Sequence, residues 1–177
     1  MVIYNTFWIP GKVPSLNDLN AFRAIQGPPR SSMILRRSPG KKKKNTYTFN
    51  KYNDEKQKWS KIVYDTVHKQ TFRQVNSCYF HYLVVENTLK RDPSNICSSS
   101  IKFIEDGLMK AGVIPNDGWD NVLGIVPEWV LHRKAKPGIH VVMADERLTF
   151  RQMKSRYIVD VLGVSVLLKS ERELEFV

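Results

Sequence analysis

Lys90–Asp120 reads KRDPSNICSSSIKFIEDGLMKAGVIPNDGWD, and its punctuation decides how the chain around it folds. Lys90 to Ser94 is a turn built on Asp92-Pro93. It leads into a helix expected from about Asn95 to Ala111, with Ile101, Ile104, Leu108 and Ala111 as its apolar stripe. Gly112 follows where a helix ends in a left-handed residue. Val113 to Gly118 then reads as a short extended piece and a turn. Upstream, Ser77 to Glu86 carries Tyr79, Tyr82, Leu83, Val84 and Val85, a strand pattern.

Working outward, Val2 to Ile9 is a first strand ended by Pro10-Gly11. Lys12 to Gly40 is rich in proline, glycine, serine and asparagine, and reads as a long loop with one short element around Leu16 to Ile25. Lys41 to Lys44 precede a short strand at Thr46 to Phe49. Asn53 or Asp54 then caps a helix from about Glu55 to Gln70, with Trp59, Ile62, Val63, Thr66 and Val67 on its apolar face. Val122 to Leu131 and Ile139 to Met143 are further strands, joined through a basic turn with Pro137-Gly138. Leu148 to Asp160 fits a third helix, and Tyr157 to Leu168 is also apolar enough for a strand. Strands and helices mix without strict alternation, so the expected class is α+β, a small mixed sheet with two main helices. The expected division is 1–145 as the main domain and 146–177 as a C-terminal extension packed on it.

The chain has 177 residues, one ordinary domain, and a formal net charge of +11. The excess is local: 15 of the 28 basic and 4 of the 17 acidic residues lie in 1–75, and the remainder of the chain is balanced. Such a field attracts phosphate backbones. It also fits an RNA-binding or ribosome-associated protein, a reading that leaves the acidic residues of Lys90–Asp120 unexplained. No run of about 18 apolar residues is present, so no membrane span is expected, and no signal peptide is evident. Cys78 and Cys97 lack metal-type spacing and read as reduced thiols of a cytoplasmic protein. His68, His81, His132 and His140 are scattered and read as structural or surface residues. Trp59 and Trp129 read as core; the role of Trp119 is open.

The acidic residues carry the chemistry. Asp92 follows a strand and Asp117 follows a helix. They approach each other if the chain after Gly112 runs back along that helix. Carboxylates on strand ends and turns are hard-oxygen ligands for Mg²⁺, which activates water and stabilises a leaving oxygen in nucleases. Lys102 and Asp106 have the spacing of an i,i+4 ion pair; the alternative places Lys102 at a scissile phosphate.

Asp92, Asn95, Lys102, Asp106, Leu108, Gly112, Asn116 and Asp117 together resemble the signature of the RusA-like Holliday junction resolvases. That signature is an Asp-x-Asp-Asn turn, a helix with Lys then Asp four later, a Leu two further on, a closing Gly, and an Asp-Asp or Asn-Asp turn. Gly118-Trp119 is similar to phage and prophage members. Ile9 to Asn17 resembles the family's first strand and Pro-Ser-Asn turn, and Phe49 to Val67 its strand-then-helix entry. The resemblance spans roughly Val2 to Met143. It implies an intertwined homodimer that nicks four-way DNA junctions with Mg²⁺, or with Mn²⁺ in its place, and without a small-molecule cofactor, in a bacterial or phage-infected cell. It assigns Asp92 and Asp117 to the metal and Lys102 to the phosphate.

Two departures stand out. Ser94 replaces the second aspartate of the turn, and about four extra residues separate Asn95 from Lys102. Close to one helical turn, that insertion nearly preserves the facing of Lys102 and Asp106. Ser94, Asn95, Glu105, Asp106 and Asp120 are the candidates to support or replace the missing ligand. The alternative is a catalytically weak or inactive junction-binding protein. For DNA contact the candidates are Asn17, Arg36, Arg37, Lys41, Lys42, Lys43, Lys44 and Lys51, with Tyr47, Phe49 and Tyr52 near the lysine run.

Overall fold

Alternation of side chains along three strands sets the architecture. The computed structural model of the chain describes residues 1–24 and 51–162. Strands β1 (Ile3–Pro10), β2 (Cys78–Glu86), β3 (Val122–Leu131) and β4 (Gly138–Ala144) form one four-stranded sheet in the order β1-β4-β2-β3. β4 runs antiparallel to both β1 and β2, and β3 runs parallel to β2. Phe7, Ile9, Phe80, Tyr82, Val84, Ile139, Val141 and Met143 all face one side. Leu83, Val85, Val142 and Ala144 face the other. Every second residue points the same way in a strand, so both faces demand cover.

Helices α1 (Leu16–Ala24), α2 (Lys51–His68) and α3 (Pro93–Lys110) lie in sequence order, and Leu19, Trp59, Val63, Val67, Phe103, Ile104 and Leu108 join the first-face core. Helix α4 (Phe150–Tyr157), continued by a π-helical turn at Ile158–Leu162, covers the second face through Met153 and Tyr157, joined by Leu148 just before the helix. The class is therefore α+β with a mixed sheet. Cys78 and Cys97 are free and buried. No helix among the described residues is long and apolar enough to cross a membrane.

Helix α3 is fixed at both ends by its own sequence. Asp92 is its N-cap, with the carboxylate accepting from the Ser94 amide at 3.0 Å, and Pro93 opens the first turn. At the other end Gly112 has φ +70°. The Val113 amide donates to the Leu108 carbonyl at 3.0 Å and the Gly112 amide to Met109 at 3.0 Å, the paired closing bonds that a left-handed residue permits. Gly107, inside the helix, faces α2. A Cβ there would stand 2.5 Å from Val63 Cβ and 2.8 Å from the Ser60 carbonyl oxygen. The two helices approach closely because that position has no side chain.

Loop 11–15 is stapled onto the N-terminal half of α3. Ser99 Oγ donates to the Pro14 carbonyl, and Arg91 reaches both the Val13 carbonyl and Glu86. Ser15 and Asp18 then start α1 with reciprocal bonds of 2.8 and 3.3 Å between side chains and amides.

Two expectations need correction and one open alternative is resolved. Helix α2 begins at Lys51, so Asn53 and Asp54 lie inside its first turn and cap nothing. Trp129, expected in the core, is half exposed, because β3 is the edge strand and the helical layer stops short of it. Between the two readings of the last segment, residues 150–162 are helical. The strand at Thr46 to Phe49, Arg36, Arg37, the lysine run and the tail beyond Leu162 fall outside the described residues.

Gly107→Ala should destabilise the chain by about 1–3 kcal/mol, overpacking outweighing the gain in helix propensity. Urea midpoints compared with those of an exposed control, Ser98→Ala, check this; equal midpoints would mean that α2 and α3 can separate freely.

Candidate functional site

Position 102 and position 106 share one face of α3, and the Lys102 Nζ to Asp106 Oδ1 distance is 3.1 Å. The closing turn at Gly112 sends the chain back beside this face. Val113 and Ile114 are buried, and the Val75 amide holds the Val113 carbonyl at 2.8 Å. Asp117 thereby reaches Lys102, whose ammonium donates to its Oδ2. From α2, Lys56 Nζ stands 2.7 Å from Asp106 Oδ2. The result is an alternating chain of charges, Lys56, Asp106, Lys102, Asp117, drawn from two helices and one turn.

Glu105 lies next to it and is 6 % exposed. Its Oε1 has no hydrogen-bond partner. Burial, reinforced by the charge of Asp117, raises its pKa from 4.5 to about 7, with Lys102 opposing and Asp106 adding to the rise. Asp117 is shifted the other way, its pKa lowered chiefly by the hydrogen bond from Lys102. The same bond raises Lys102. Near neutral pH the cluster thus holds the Lys102–Asp117 ion pair beside one carboxyl, that of Glu105, poised to gain or lose a proton.

Asp92 is not part of this cluster. Its Oδ1 accepts from the Ser94 amide and from Ser94 Oγ at 2.8 Å, and its Oδ2 accepts from Asn95 Nδ2 at 3.0 Å. Ten residues of α3 separate it from Lys102, about 15 Å of axial rise. The chain after Gly112 does run back along the helix, but it delivers Asp117 to the middle of α3 rather than to its start.

The other candidates fall in distinct places. Ser94 and Asn95 serve the cap. Asp106 is central to the ion chain, and Asp120 is exposed beyond the turn. Asn17 is exposed on α1, and Lys51 is the first residue of α2. His81 and His140 are fully buried. His81 Nε2 lies 3.1 Å from the Glu146 carbonyl, and His140 Nε2 lies 2.9 Å from Thr6 Oγ1 and 3.2 Å from Asp160 Oδ2.

The donors at the cluster are carboxylate oxygens, the ligand type that hard divalent cations take. Asp117, Asp106 and Glu105 offer carboxylate oxygens, and Glu105 Oε1 is buried with nothing donating to it. Among the described residues no group of three or more such side chains already has metal-holding geometry. Lys102 occupies the space between Asp106 and Asp117.

Two contributors escaped the reading of the sequence. Lys56 comes from another helix, and nothing local announces its partner. Gly107 does leave a trace, since glycine in the interior of an apolar-periodic helix marks a close approach.

Because the folded pKa of Glu105 lies above its unfolded value, the folded state loses stability as pH rises from about 4.5 to about 7, with no further loss from this group above that. Glu105→Gln should remove the slope. The variant should match the natural chain near pH 4 and exceed it by on the order of 2–3 kcal/mol at pH 8. Urea unfolding across that range checks this; parallel profiles would place Glu105 in water.

Compared with known proteins, the chain matches no family model, no curated protein and no solved structure. The residues and their placement carry the functional argument.

Proposed function

We propose that the chain is a metal-dependent endonuclease acting on branched DNA, of the RusA-like junction-resolving kind, working as a homodimer. The observation that carries this reading is the convergence of Lys102 with Asp117 and Asp106 on the open face of α3. These are three of the positions at which the sequence resembles that family. The strongly basic first 75 residues supply the attraction for phosphates.

The chemistry follows from the charges. Hydrolysis of a phosphodiester builds negative charge on the phosphoryl oxygens. The Lys102 ammonium, 45 % exposed at its side chain, is available to a phosphate from solvent and offsets that charge. Asp117 and Asp106 hold the ammonium in place, and Asp106 is itself anchored by Lys56. A bound Mg²⁺ supplies an activated water and a counter-charge to the leaving oxygen. Asp117 would hold it, with Glu105 and Asp106 as its nearest hard-oxygen neighbours and Asp92 farther along the helix. Glu105 can accept a proton near neutral pH.

A two-fold dimer suits a junction in which two strands are cut symmetrically. Edge strand β3 leaves Leu123, Ile125 and Trp129 exposed, an apolar border suited to a second copy.

One observation favours a second reading, a junction-binding protein with weak or no cleavage. Both oxygens of Asp92 are engaged by Ser94 and Asn95, and the family's second aspartate is Ser94 here.

The test is nicking of a synthetic four-way junction with Mg²⁺ and with Mn²⁺. The natural chain should cut. Asp117→Asn and Lys102→Met should each lower the rate by about 100-fold or more, with junction affinity far less affected. Asp92→Asn separates two roles, since asparagine caps a helix as well as aspartate does. A loss of cutting with unchanged stability assigns Asp92 to the reaction. Cutting that survives Asp117→Asn would overturn the site. Binding without cutting under either ion, restored by Ser94→Asp, would establish the second reading.

A further inference from the structure

Trp119 is 95 % exposed, the most exposed large apolar side chain among the described residues. In the same stretch Val113 and Ile114 are buried, and Asn116, Asp117, Gly118 and Asp120 offer no apolar side chain; the nearest exposed apolar side chains along the sequence are Pro115 and Leu123, each four residues away. An indole of this kind leaves on the order of 200 Å² of ring surface in water.

The exposure comes from a fixed turn. Asn116 Oδ1 accepts from the Gly118 amide at 2.7 Å. The Gly118 carbonyl accepts from the Asn121 amide at 3.0 Å and the Val122 amide at 2.9 Å. Asn121 is in turn tied to the sheet, its carbonyl accepting from the Cys78 amide at 3.0 Å and its side-chain amide donating to Asn76. Five backbone and side-chain bonds therefore hold the turn that carries the ring at one end of the sheet. The ring belongs to the residue two after Asp117, whose carboxylate is bonded to Lys102. Two residues span at most about 7 Å.

We propose that Trp119 is a stacking platform for an unpaired nucleobase, lying beside the phosphate that Lys102 receives. The inference rests on the nucleic-acid reading of the Lys102 site and adds a preference for DNA whose bases are unstacked next to the cut. A single flat aromatic face amid polar residues matches one base, because every base has a π-face and stacking needs no contiguous apolar border. A protein partner would call for a wider apolar patch around the ring. The carboxylates of Asp117 and Asp120 on either side disfavour a phosphate directly over the indole. They leave the backbone to the Lys102 side and the ring to the base. In a continuous duplex the bases are stacked on one another and closed to the ring; a branch point interrupts that stack, so the pairs beside it open at lower cost.

Trp119→Phe and Trp119→Ala test this, with tryptophan emission and equilibrium binding measured for a thymidine oligonucleotide, a blunt duplex and a four-way junction. Subtracting the emission of Trp119→Phe isolates Trp119 from the other tryptophans. Its emission should be quenched by the oligonucleotide and the junction, and much less by the duplex. Trp119→Ala should weaken oligonucleotide binding about tenfold, Trp119→Phe about threefold or less, and duplex binding should change less than twofold in both. A ring at this exposure can be removed without unfolding, which circular dichroism verifies. Unchanged Trp119 emission on a saturated oligonucleotide would overturn the proposal, as would equal oligonucleotide affinity of Trp119→Ala and the natural chain. So would emission that follows protein concentration and not DNA, which would place the ring between two copies. Junction cutting with a silent Trp119 defeats the stacking role alone. Quenching with no cutting defeats the endonuclease reading alone.

Discussion

The contact of α2 with α3 at Gly107 is the constraint on which the candidate site depends. With no side chain at that position, Val63 and the Ser60 backbone can lie against α3. That approach also brings Lys56 of α2 to Asp106. Separation of the helices by one methyl group would disturb the packing of Phe103, Ile104 and Leu108 on the sheet and would shift the anchor of the ion chain. Packing and electrostatics are set by the same half-turn of helix, and Asp106 and Gly107 are adjacent in the sequence for that reason.

Charge distribution within the cluster follows from burial. Asp117, near the surface, is stabilised in its ionised form by Lys102. Glu105, one residue from Asp106 but turned inward, pays the full desolvation penalty and has no ammonium in contact with it. Two carboxylates of one cluster therefore behave differently, because Glu105 is buried on α3 while Asp117 sits exposed on the turn beside Lys102. The solvent-exposed part of this ion chain, Lys102 with Asp117, adds little to stability. Its significance lies in holding an ammonium and a carboxylate at fixed positions on an accessible face.

Much of the framework was legible in the chain. Asp92-Pro93 and Gly112 bracket α3 through local chemistry, a cap, a ring-constrained first turn and a left-handed stop, all of which act within a few residues. The strands β1, β2 and β4 show in their β-branched and aromatic content. The start of α2 was misread because Asn53 and Asp54 suit a cap, while the helix is continued upstream by tertiary packing that no local signal encodes. Trp129 was assigned to the core because an apolar residue in a strand points to one face, and only the strand order tells whether that face is covered. The Lys102–Asp106 pair followed from spacing. The joining of Asp117 to Lys102 in place of Asp92 depends on how far the chain after Gly112 travels before it turns, a distance fixed by the burial of Val113 and Ile114.

The placement of β1 has a consequence for synthesis. This strand is made before every other strand of the sheet, yet its sheet partner is β4, which pairs Ile3 with Ala144. By then β2 and α3 have been outside the exit tunnel for several seconds at about 5–20 residues per second, with β3 following shortly before β4. Through that interval Phe7 and Ile9 have no sheet to enter. The nascent chain carries an unpaired apolar strand until β4 is made, and closure of the sheet waits for that strand.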